Sequence, residues 1–156
     1  MIKTNAIRIL DSFDIDYEII TYNENLVDGE SIAEALKEDK YSVFKTLVTK
    51  GSDKNYYVFC IPVNTTLDLK RAAIVAKCKS IEMIHQKELL PLTGYIHGGC
   101  SPIGMKKKFV TFINDTAQIF DNIYISGGRV GIQLKINPYI LCDFINATFA
   151  DVVTKY

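Results

Sequence analysis

The hydrophobic and polar positions along the chain switch between helical and strand spacing, with short breaks between the segments. Apolar residues recur at helical spacing in segments 5–13, 30–37, 67–77 and 138–146. Thr4 or Asn5 can cap the first of these helices, and Asp68 can cap the third. A helical turn is predicted at 86–90, where Pro91 limits it. Runs rich in β-branched and aromatic residues predict strands at 17–22, 43–49, 56–63, 80–84, 108–113, 122–126 and 131–136.

The order of these segments predicts the fold class. Strands 43–49 and 56–63 are separated by Lys50-Gly51-Ser52-Asp53, which indicates a hairpin with a longer loop. Helices and strands are interspersed, yet the hairpin signals argue against a regular alternation of parallel strands and helices. We therefore expect a mixed α/β (α+β) fold with a largely antiparallel sheet. The length of 156 residues suits a single domain that spans 1–156.

The composition favours a folded protein of the cytosol. Apolar residues make up 48% of the chain, which is too much for a disordered protein. No stretch approaches the roughly 18 uncharged apolar residues of a membrane span. The first residues lead into a charged amphipathic stretch rather than a signal peptide. We therefore expect a cytosolic location and no membrane partner.

The cysteines point away from a metal site. Cys60, Cys78, Cys100 and Cys142 are widely spaced, and the chain has two histidines. Structural zinc sites need closely spaced pairs of ligands, so we expect no metal. Nothing else in the sequence indicates an oxidising compartment, and we expect all four thiols to be reduced. No cofactor is expected either.

The charges balance at 18 basic and 18 acidic residues, so the net charge gives no sign of a nucleic-acid partner. Lys106-Lys107-Lys108 forms one local basic run, and more basic residues are scattered over 70–79. These side chains are either solvated surface lysines or a track for phosphate groups. Charge alone does not decide between the two interpretations.

Three segments contain groups suited to a binding or reacting site. Lys45 shares a strand face with Val43 and Leu47, so its ammonium either snorkels to water or serves a pocket. Segment 94–104 has four glycines, typical of a loop that presents backbone N–H groups to an anion or of a plain series of turns. In segment 124–131 a strand ends at Ser126 before two glycines, which indicates a binding position or a turn.

Cys100 offers a different interpretation as a nucleophile, with His97 as its base. Residues this close in sequence rarely form a catalytic pair, and no acidic residue is evident to orient the histidine. Thiol alkylation separates the two interpretations, because it inactivates an enzyme that uses Cys100.

Taken together and in this order, the segments resemble the YbaK/EbsC family, over nearly the whole chain. The motifs that support the resemblance are Lys3-Thr4-Asn5-Ala6, Phe44-Lys45-Thr46-Leu47, Leu67-Asp68-Leu69-Lys70, Gly98-Gly99-Cys100-Ser101-Pro102-Ile103-Gly104 and Tyr124-Ile125-Ser126-Gly127-Gly128. The resemblance implies a mixed α/β fold with a curved, mainly antiparallel sheet and surrounding helices around an open pocket. It also implies hydrolysis of misacylated tRNA, chiefly Cys-tRNA(Pro).

The resemblance also implies which residues form the site. The pocket lysine matches Lys45, the strand-end hydroxyl matches Ser126, and the backbone donors match Gly98 and Gly99. An aromatic residue at the pocket edge matches Tyr22. Further substrate contacts are implied at Cys100, Ser101 and Gly127. Cysteine-specific members often have an acidic residue where this chain has Gln133, which changes the contact to the substrate amine.

The implied reaction suits these residue types. A prolyl site that admits proline cannot strongly reject cysteine, because a methylene is worth only about 1–3 kcal/mol of discrimination. The substrate thiol can attack its own ester, so the protein need not supply a nucleophile. Cys-tRNA(Cys) could be cleaved by the same thiol-assisted reaction. One alternative is editing of Ala-tRNA(Pro) or another aminoacyl-tRNA by an activated water, and another is a non-catalytic module that binds an aminoacyl end or a nucleotide. The expected partners are aminoacyl-tRNA(Pro) and prolyl-tRNA synthetase.

Overall fold

The computed structural model describes residues 3–26 and 28–155. Its α-helices are α1 (Asn5–Ser12), α2 (Gly29–Leu36), α3 (Leu69–Ala76), α4 (Gln86–Thr93) and α5 (Pro138–Phe144). Its strands are β1 (Glu18–Thr21), β2 (Phe44–Gly51), β3 (Tyr56–Pro62), β4 (Ile81–Met83), β5 (Val110–Asn114), β6 (Ile123–Ser126), β7 (Ile132–Ile136) and β8 (Thr148–Ala150). Short 3-10 helices lie at Lys40–Ser42 and Asp115–Ile119. The longest of these helices have eight residues, so no helix in the described ranges could cross a bilayer.

The strands form two sheets, which confirms the mixed α/β class. Strands β1, β7 and β6 form an antiparallel sheet of three strands. The second sheet has the order β4-β2-β3-β5-β8. In it, β2 is antiparallel to both β4 and β3. β3 and β5 are parallel, as are β5 and β8, because the chain crosses over between these strands instead of turning back. The single curved sheet expected from the sequence is thus divided in two, and an isolated bridge between Val43 and Tyr124 connects the parts.

Helix α4 runs through Pro91, although the sequence predicted an end at residue 90. The ring removes one backbone donor, but Pro91 lies on the exposed face, where water can satisfy the carbonyl that loses its partner. The helix ends at Gly94, which has a φ of 86° and whose N–H donates to the Leu90 carbonyl over 2.9 Å. Glycine adopts this left-handed conformation at little cost.

The apolar residues form a core on both faces of the five-stranded sheet. The largest cluster lies between this sheet, the three-stranded sheet, α1 and α5, and contains Phe44, Ile113, Ile125, Leu134 and Leu141. A second cluster lies under α3, where the buried ring of Phe59 stacks on Phe112. A third lies under α4, around Val48, Val58 and Tyr95. The first of these clusters contains residues of both sheets and holds them together.

Candidate active site

A cavity of about 350 Å³ opens where the two sheets meet. The bridge between Val43 and Tyr124 is parallel, so β2 and β6 run in the same direction away from it. Two residues further along these strands lie Lys45 and Ser126, and both line the cavity. The other lining residues come from the start of α2, from β2, β7 and α4, and from loop 94–104: Asp28, Gly29, Glu30, Ile32, Val43, Phe44, Thr46, Leu47, Val63, Leu89, His97, Gly98, Cys100 and Gln133.

Lys45 places a positive charge at the wall of this cavity. The side chain is half-buried in β2, opposite Ile61 of β3. Burial lowers the pKa of Lys45, and the nearby carboxylate of Glu30 partly offsets that effect. Within the described residues, no carboxylate oxygen lies within 4.0 Å of the ammonium, and Glu30 forms its ion pair with Lys40. The ammonium is therefore available to an oxygen of a bound ligand.

Ser126 ends β6 directly opposite Gln133 of β7. Its hydroxyl oxygen accepts a hydrogen bond from the Gly128 N–H over 3.2 Å. Gly127 packs so closely that an added Cβ would lie 2.5 Å from Cγ2 of Ile132. Its N–H donates to the Ile132 carbonyl over 2.9 Å. The glycine pair thus fixes the turn that presents Ser126 to the cavity.

The first residues of α1 hold the two loops of the site together. Oγ1 of Thr4 accepts from the Ile7 N–H as the helix cap and donates to the Gly127 carbonyl over 2.6 Å. Nδ2 of Asn5 donates to the Gly104 carbonyl over 2.7 Å. The motif at residues 3–6 therefore belongs to the support of the site rather than to its lining.

Loop 94–104 is anchored by a tyrosine at its start. The hydroxyl of the buried Tyr95 donates to the Ile103 carbonyl over 2.6 Å, and burial raises the pKa of Tyr95 to about 12. The anchored loop brings His97, Gly98 and Cys100 to the cavity wall. Gly98 has a φ of 85°, a conformation that favours glycine.

Four residues predicted for the site lie outside the cavity lining. The N–H of Gly99, expected to stabilise an oxyanion, donates to the Ile96 carbonyl over 3.0 Å, and its role toward a substrate stays a prediction. Ser101 is fully buried, and its hydroxyl oxygen accepts from the Ile103 N–H over 3.2 Å. The N–H of Gly127 donates to the Ile132 carbonyl, and its carbonyl accepts from the Thr4 hydroxyl. The Tyr22 hydroxyl is buried and has no hydrogen-bond partner among the described residues, so its role stays a prediction.

Cys100 lines the cavity as a neutral thiol. Burial raises its pKa to about 12, so the thiolate that a nucleophile needs is scarce at neutral pH. All four cysteines are free. These observations disfavour the alternative in which Cys100 and His97 form a catalytic pair.

Gln133 contributes a polar atom that the protein leaves without a partner. The side chain is 4% exposed and lines the cavity. Its Oε1 has no hydrogen-bond partner within residues 3–26 and 28–155. A buried acceptor without a partner is destabilising by about 1–3 kcal/mol, unless a ligand supplies a donor. The carbonyl oxygen of Gln133 is suited to an ammonium or hydroxyl of a bound molecule.

Comparison with known proteins identifies the family. Residues 23–144 match the family described as the aminoacyl-tRNA editing domain. The chain is 41% identical over 155 residues to EbsC of Enterococcus faecalis, which is named for deacylation of Cys-tRNA(Pro) and Cys-tRNA(Cys). The match covers 98% of this chain and 94% of that relative. The chain belongs to the aminoacyl-tRNA editing domain family.

Solved structures support the fold of this editing domain. A structure described as a trans-editing enzyme for prolyl-tRNA synthetase matches with a TM-score of 0.86 at 18% identity, over 99% of this chain and all of that one. A hypothetical protein, APE2540, matches with a TM-score of 0.90 at 20% identity, over 97% of this chain and all of that one. The resemblance inferred from the sequence motifs is confirmed.

Sequence reasoning missed the contribution of α2 to the editing-domain cavity. No site role was assigned from the sequence to Asp28, Gly29 or Glu30, yet all three line the cavity. Asp28 caps α2 by accepting from the Ser31 N–H over 2.8 Å. An aspartate three residues before a serine, at the start of an apolar helical pattern, is the signal that could have located this cap.

The first prediction concerns the buried charge of Lys45. Its pKa is lower in the folded protein than in the unfolded chain, so the protonated lysine destabilises the fold at neutral pH. We expect Lys45→Met to raise the free energy of unfolding at pH 7. This gain should shrink as pH rises through the lowered pKa towards 10.5, where both states lose the proton. Urea denaturation across this pH range measures it.

The matched control is Lys135→Met. Lys135 also lies on a strand, but it pairs with Glu18 over 3.8 Å at the surface. We expect no gain in stability from this variant. An equal gain in both variants would show that added apolar surface, and not relief of a buried charge, explains the Lys45 result.

The second prediction concerns the two hydrogen bonds of the Thr4 hydroxyl. We expect Thr4→Val to lower the free energy of unfolding by about 1–3 kcal/mol, because it removes a helix cap and a hydrogen bond to the Gly127 carbonyl. Thr4→Ser keeps the hydroxyl and should restore most of the loss. Urea denaturation provides the measurement, and equal stability of the valine and serine variants would contradict the assignment.

Proposed function

We propose that this protein is an aminoacyl-tRNA deacylase that removes cysteine from tRNA(Pro), using the cysteinyl thiol as the nucleophile. The observation that carries the proposal is the half-buried ammonium of Lys45, which has no ion pair in the part of the chain that the structure describes and lines a cavity of about 350 Å³ together with Ser126. The name of the relative EbsC, which includes Cys-tRNA(Pro) and Cys-tRNA(Cys), supports the substrate class.

The size of the cavity suits the end of a charged tRNA. A volume of about 350 Å³ lies at the lower end of the range for small-ligand sites. It accommodates a small aminoacyl group together with part of its ribose, while the remainder of the tRNA stays outside. Phe44, Leu47 and Leu89 supply apolar surface against which a short side chain can pack.

The polar groups of the cavity have complementary tasks. Lys45 donates to the ester or to the terminal ribose, and Ser126 donates to the same part of the substrate. Gln133 accepts from the α-ammonium through Oε1, which has no partner in the described protein. Gly98 offers its N–H to the oxyanion, since that group forms no hydrogen bond within the described residues. In other enzymes one such donor is worth about 3–4 kcal/mol.

The reaction needs no nucleophile from the protein. The substrate sulfur attacks the ester carbonyl carbon, and the bond between that carbon and the ribose oxygen breaks. The proton of the thiol ends on the ribose hydroxyl that leaves. The products are tRNA with a free terminal hydroxyl and a cyclic cysteine thiolactone, which water then hydrolyses to cysteine. A thiol ionises near pH 8.5, so a useful fraction is reactive at neutral pH.

The remaining parts of the proposal concern the context of the reaction. The whole chain, 1–156, acts as one editing unit in the cytosol, where tRNA is charged. Prolyl-tRNA synthetase is the partner that releases the misacylated substrate. The match to a structure described as a trans-editing enzyme for that synthetase supports this assignment at the level of the fold.

The third prediction tests the function and the thiol together. With tRNA(Pro) charged separately with Cys, Ser, Ala and Pro, we expect rapid deacylation of Cys-tRNA(Pro) alone. Cysteine and serine differ by one atom, but an internal thiol can reach an effective molarity of about 10⁵ M or more. Mass spectrometry of the quenched reaction should detect the thiolactone. Cys100→Ala serves as the control and should leave the selectivity unchanged.

Two results would contradict this account. Equal decay of all four esters, at the rate without protein, would refute the deacylase function. Similar rates for Cys and Ser, with free amino acid as the first product, would mean that an activated water attacks the ester.

The fourth prediction assigns the protein groups. We expect Lys45→Ala to keep the fold but to lose most of the deacylation activity, because the charge is lost and the strand remains. Ser126→Ala removes a hydrogen bond worth about 1.5–3 kcal/mol and should lower kcat/KM about 10- to 150-fold. Lys135→Ala is the control and should retain wild-type turnover. Near-native activity of Lys45→Ala would remove Lys45 from the site.

A further inference from the structure

A second cavity, of about 370 Å³, lies at the far end of the β2–β3 hairpin. Lys54, from the hairpin turn, and Lys108, which precedes β5, both line it. Between the two lysines the wall is formed by Asn55, Tyr56, Tyr57 and Phe109. Cationic side chains beside half-buried aromatic rings are the combination that nucleic-acid-binding grooves use.

The aromatic wall of this cavity is ordered by its own contacts. The rings of Tyr56 and Phe109 meet edge to face, with centroids 5.9 Å apart. Nζ of Lys50 lies 5.6 Å from the centroid of the Tyr56 ring. Lys54 has a φ of 70°, and its N–H donates to the Gly51 carbonyl over 2.9 Å, which fixes the hairpin turn.

The surface around this cavity is basic, although the chain as a whole is neutral. The lysines that line it are Lys54 and Lys108, and Lys50 lies next to them, over the Tyr56 ring. Among the described residues, none of them forms an ion pair within 4.0 Å. The acidic neighbours are Glu82, opposite Lys50 in β4, and Asp53, which accepts hydrogen bonds from Tyr57 and Asn55. A net positive surface therefore remains for a polyanion.

The position of this surface relates it to the active-site cavity. Thr46, Val48 and Lys50 point to one face of β2, and Lys45 and Leu47 point to the other. The first cavity is lined from both faces, by Thr46 as well as by Lys45. From Thr46 to Lys50 the strand rises about 13 Å, which matches roughly four nucleotide steps of a stacked strand. The segment 97–109 also connects the cavities, with Gly98 at the first and Phe109 at the second.

We propose that the second cavity binds the sugar–phosphate backbone of the tRNA acceptor arm, a few nucleotides from the esterified end. Lys54 and Lys108 contact phosphates, and the rings of Tyr56 and Phe109 pack against a ribose or a base. This assignment rests on the proposed function, because it takes the esterified end to occupy the first cavity. Although the chain has no net charge, this basic surface would bind the phosphates of the substrate.

The test is the double variant Lys54→Ala/Lys108→Ala, compared with Lys70→Ala/Lys77→Ala. The control removes the same charge from α3, on the opposite face of the sheet, and Lys77 shares the left-handed backbone of Lys54. The first measurement is the affinity for uncharged tRNA(Pro) at several salt concentrations. Loss of two phosphate contacts should flatten the slope of log Kd against log salt concentration by about 1.4–1.8, while the control keeps the wild-type slope.

The second measurement is deacylation of two substrates. With full-length Cys-tRNA(Pro), the double variant should have a raised KM and an unchanged kcat. With a CCA trinucleotide esterified to cysteine, which ends before the second cavity, it should equal the wild type. The binding measurement still decides the proposal if no ester is cleaved at all, so the failure of the deacylase function is distinguishable.

Three outcomes would overturn the inference. The first is a wild-type salt slope for the double variant. The second is an equal change in the α3 control, which would indicate unspecific loss of charge. The third is unaltered tRNA binding together with weakened binding to prolyl-tRNA synthetase, which would make this surface a protein interface.

Discussion

The site depends on the parallel contact between the beginning of β2 and β6, at the bridge between Val43 and Tyr124. This contact joins the two sheets, whose strands within residues 3–26 and 28–155 otherwise pair inside their own sheet. It brings Lys45 from one sheet and Ser126 from the other to the wall of the same cavity, although 81 positions separate them in the chain. The apolar cluster around Ala33, Val63 and Tyr124 packs against the same junction. A cation and a hydroxyl are thereby fixed by the backbone of two strands rather than by a mobile loop.

The cavity contains polar groups that the protein leaves partly unsatisfied. Lys45 is half-buried without an ion pair in the described residues, and Oε1 of Gln133 is buried without a hydrogen-bond partner there. Such groups lower stability, so they are typical of positions where a ligand completes the interactions. The loops that support the cavity are satisfied instead: Thr4, Tyr95 and Ser101 each hold a backbone group of the two glycine-rich segments. The loops around the cavity are therefore held by hydrogen bonds, whereas polar groups inside it are left for a ligand.

Local pattern was enough to predict most elements and the residues with distinctive chemistry. Apolar spacing and caps located α1 and α3. Lys45 and Ser126 could be named as candidate site residues from the sequence, and both line the cavity. Strand β8 was missed because its three residues are too few for a pattern and pair only with β5. The internal hydrogen bond of the Gly99 N–H could not be predicted, because a glycine-rich sequence does not reveal which N–H groups the loop uses internally. The contribution of α2 depends on packing between distant segments, which no local pattern records.

The central claim is that the sheet junction makes Lys45 and Ser126 act on one ester. The most direct measurement is a double-mutant cycle for deacylation of Cys-tRNA(Pro), with Lys45→Ala, Ser126→Ala and the combined variant. Groups that act as a unit have strongly non-additive effects, so the combined variant should be little slower than Lys45→Ala alone. Additive losses, with each substitution lowering kcat/KM by the same factor whether or not the other is present, would contradict the account.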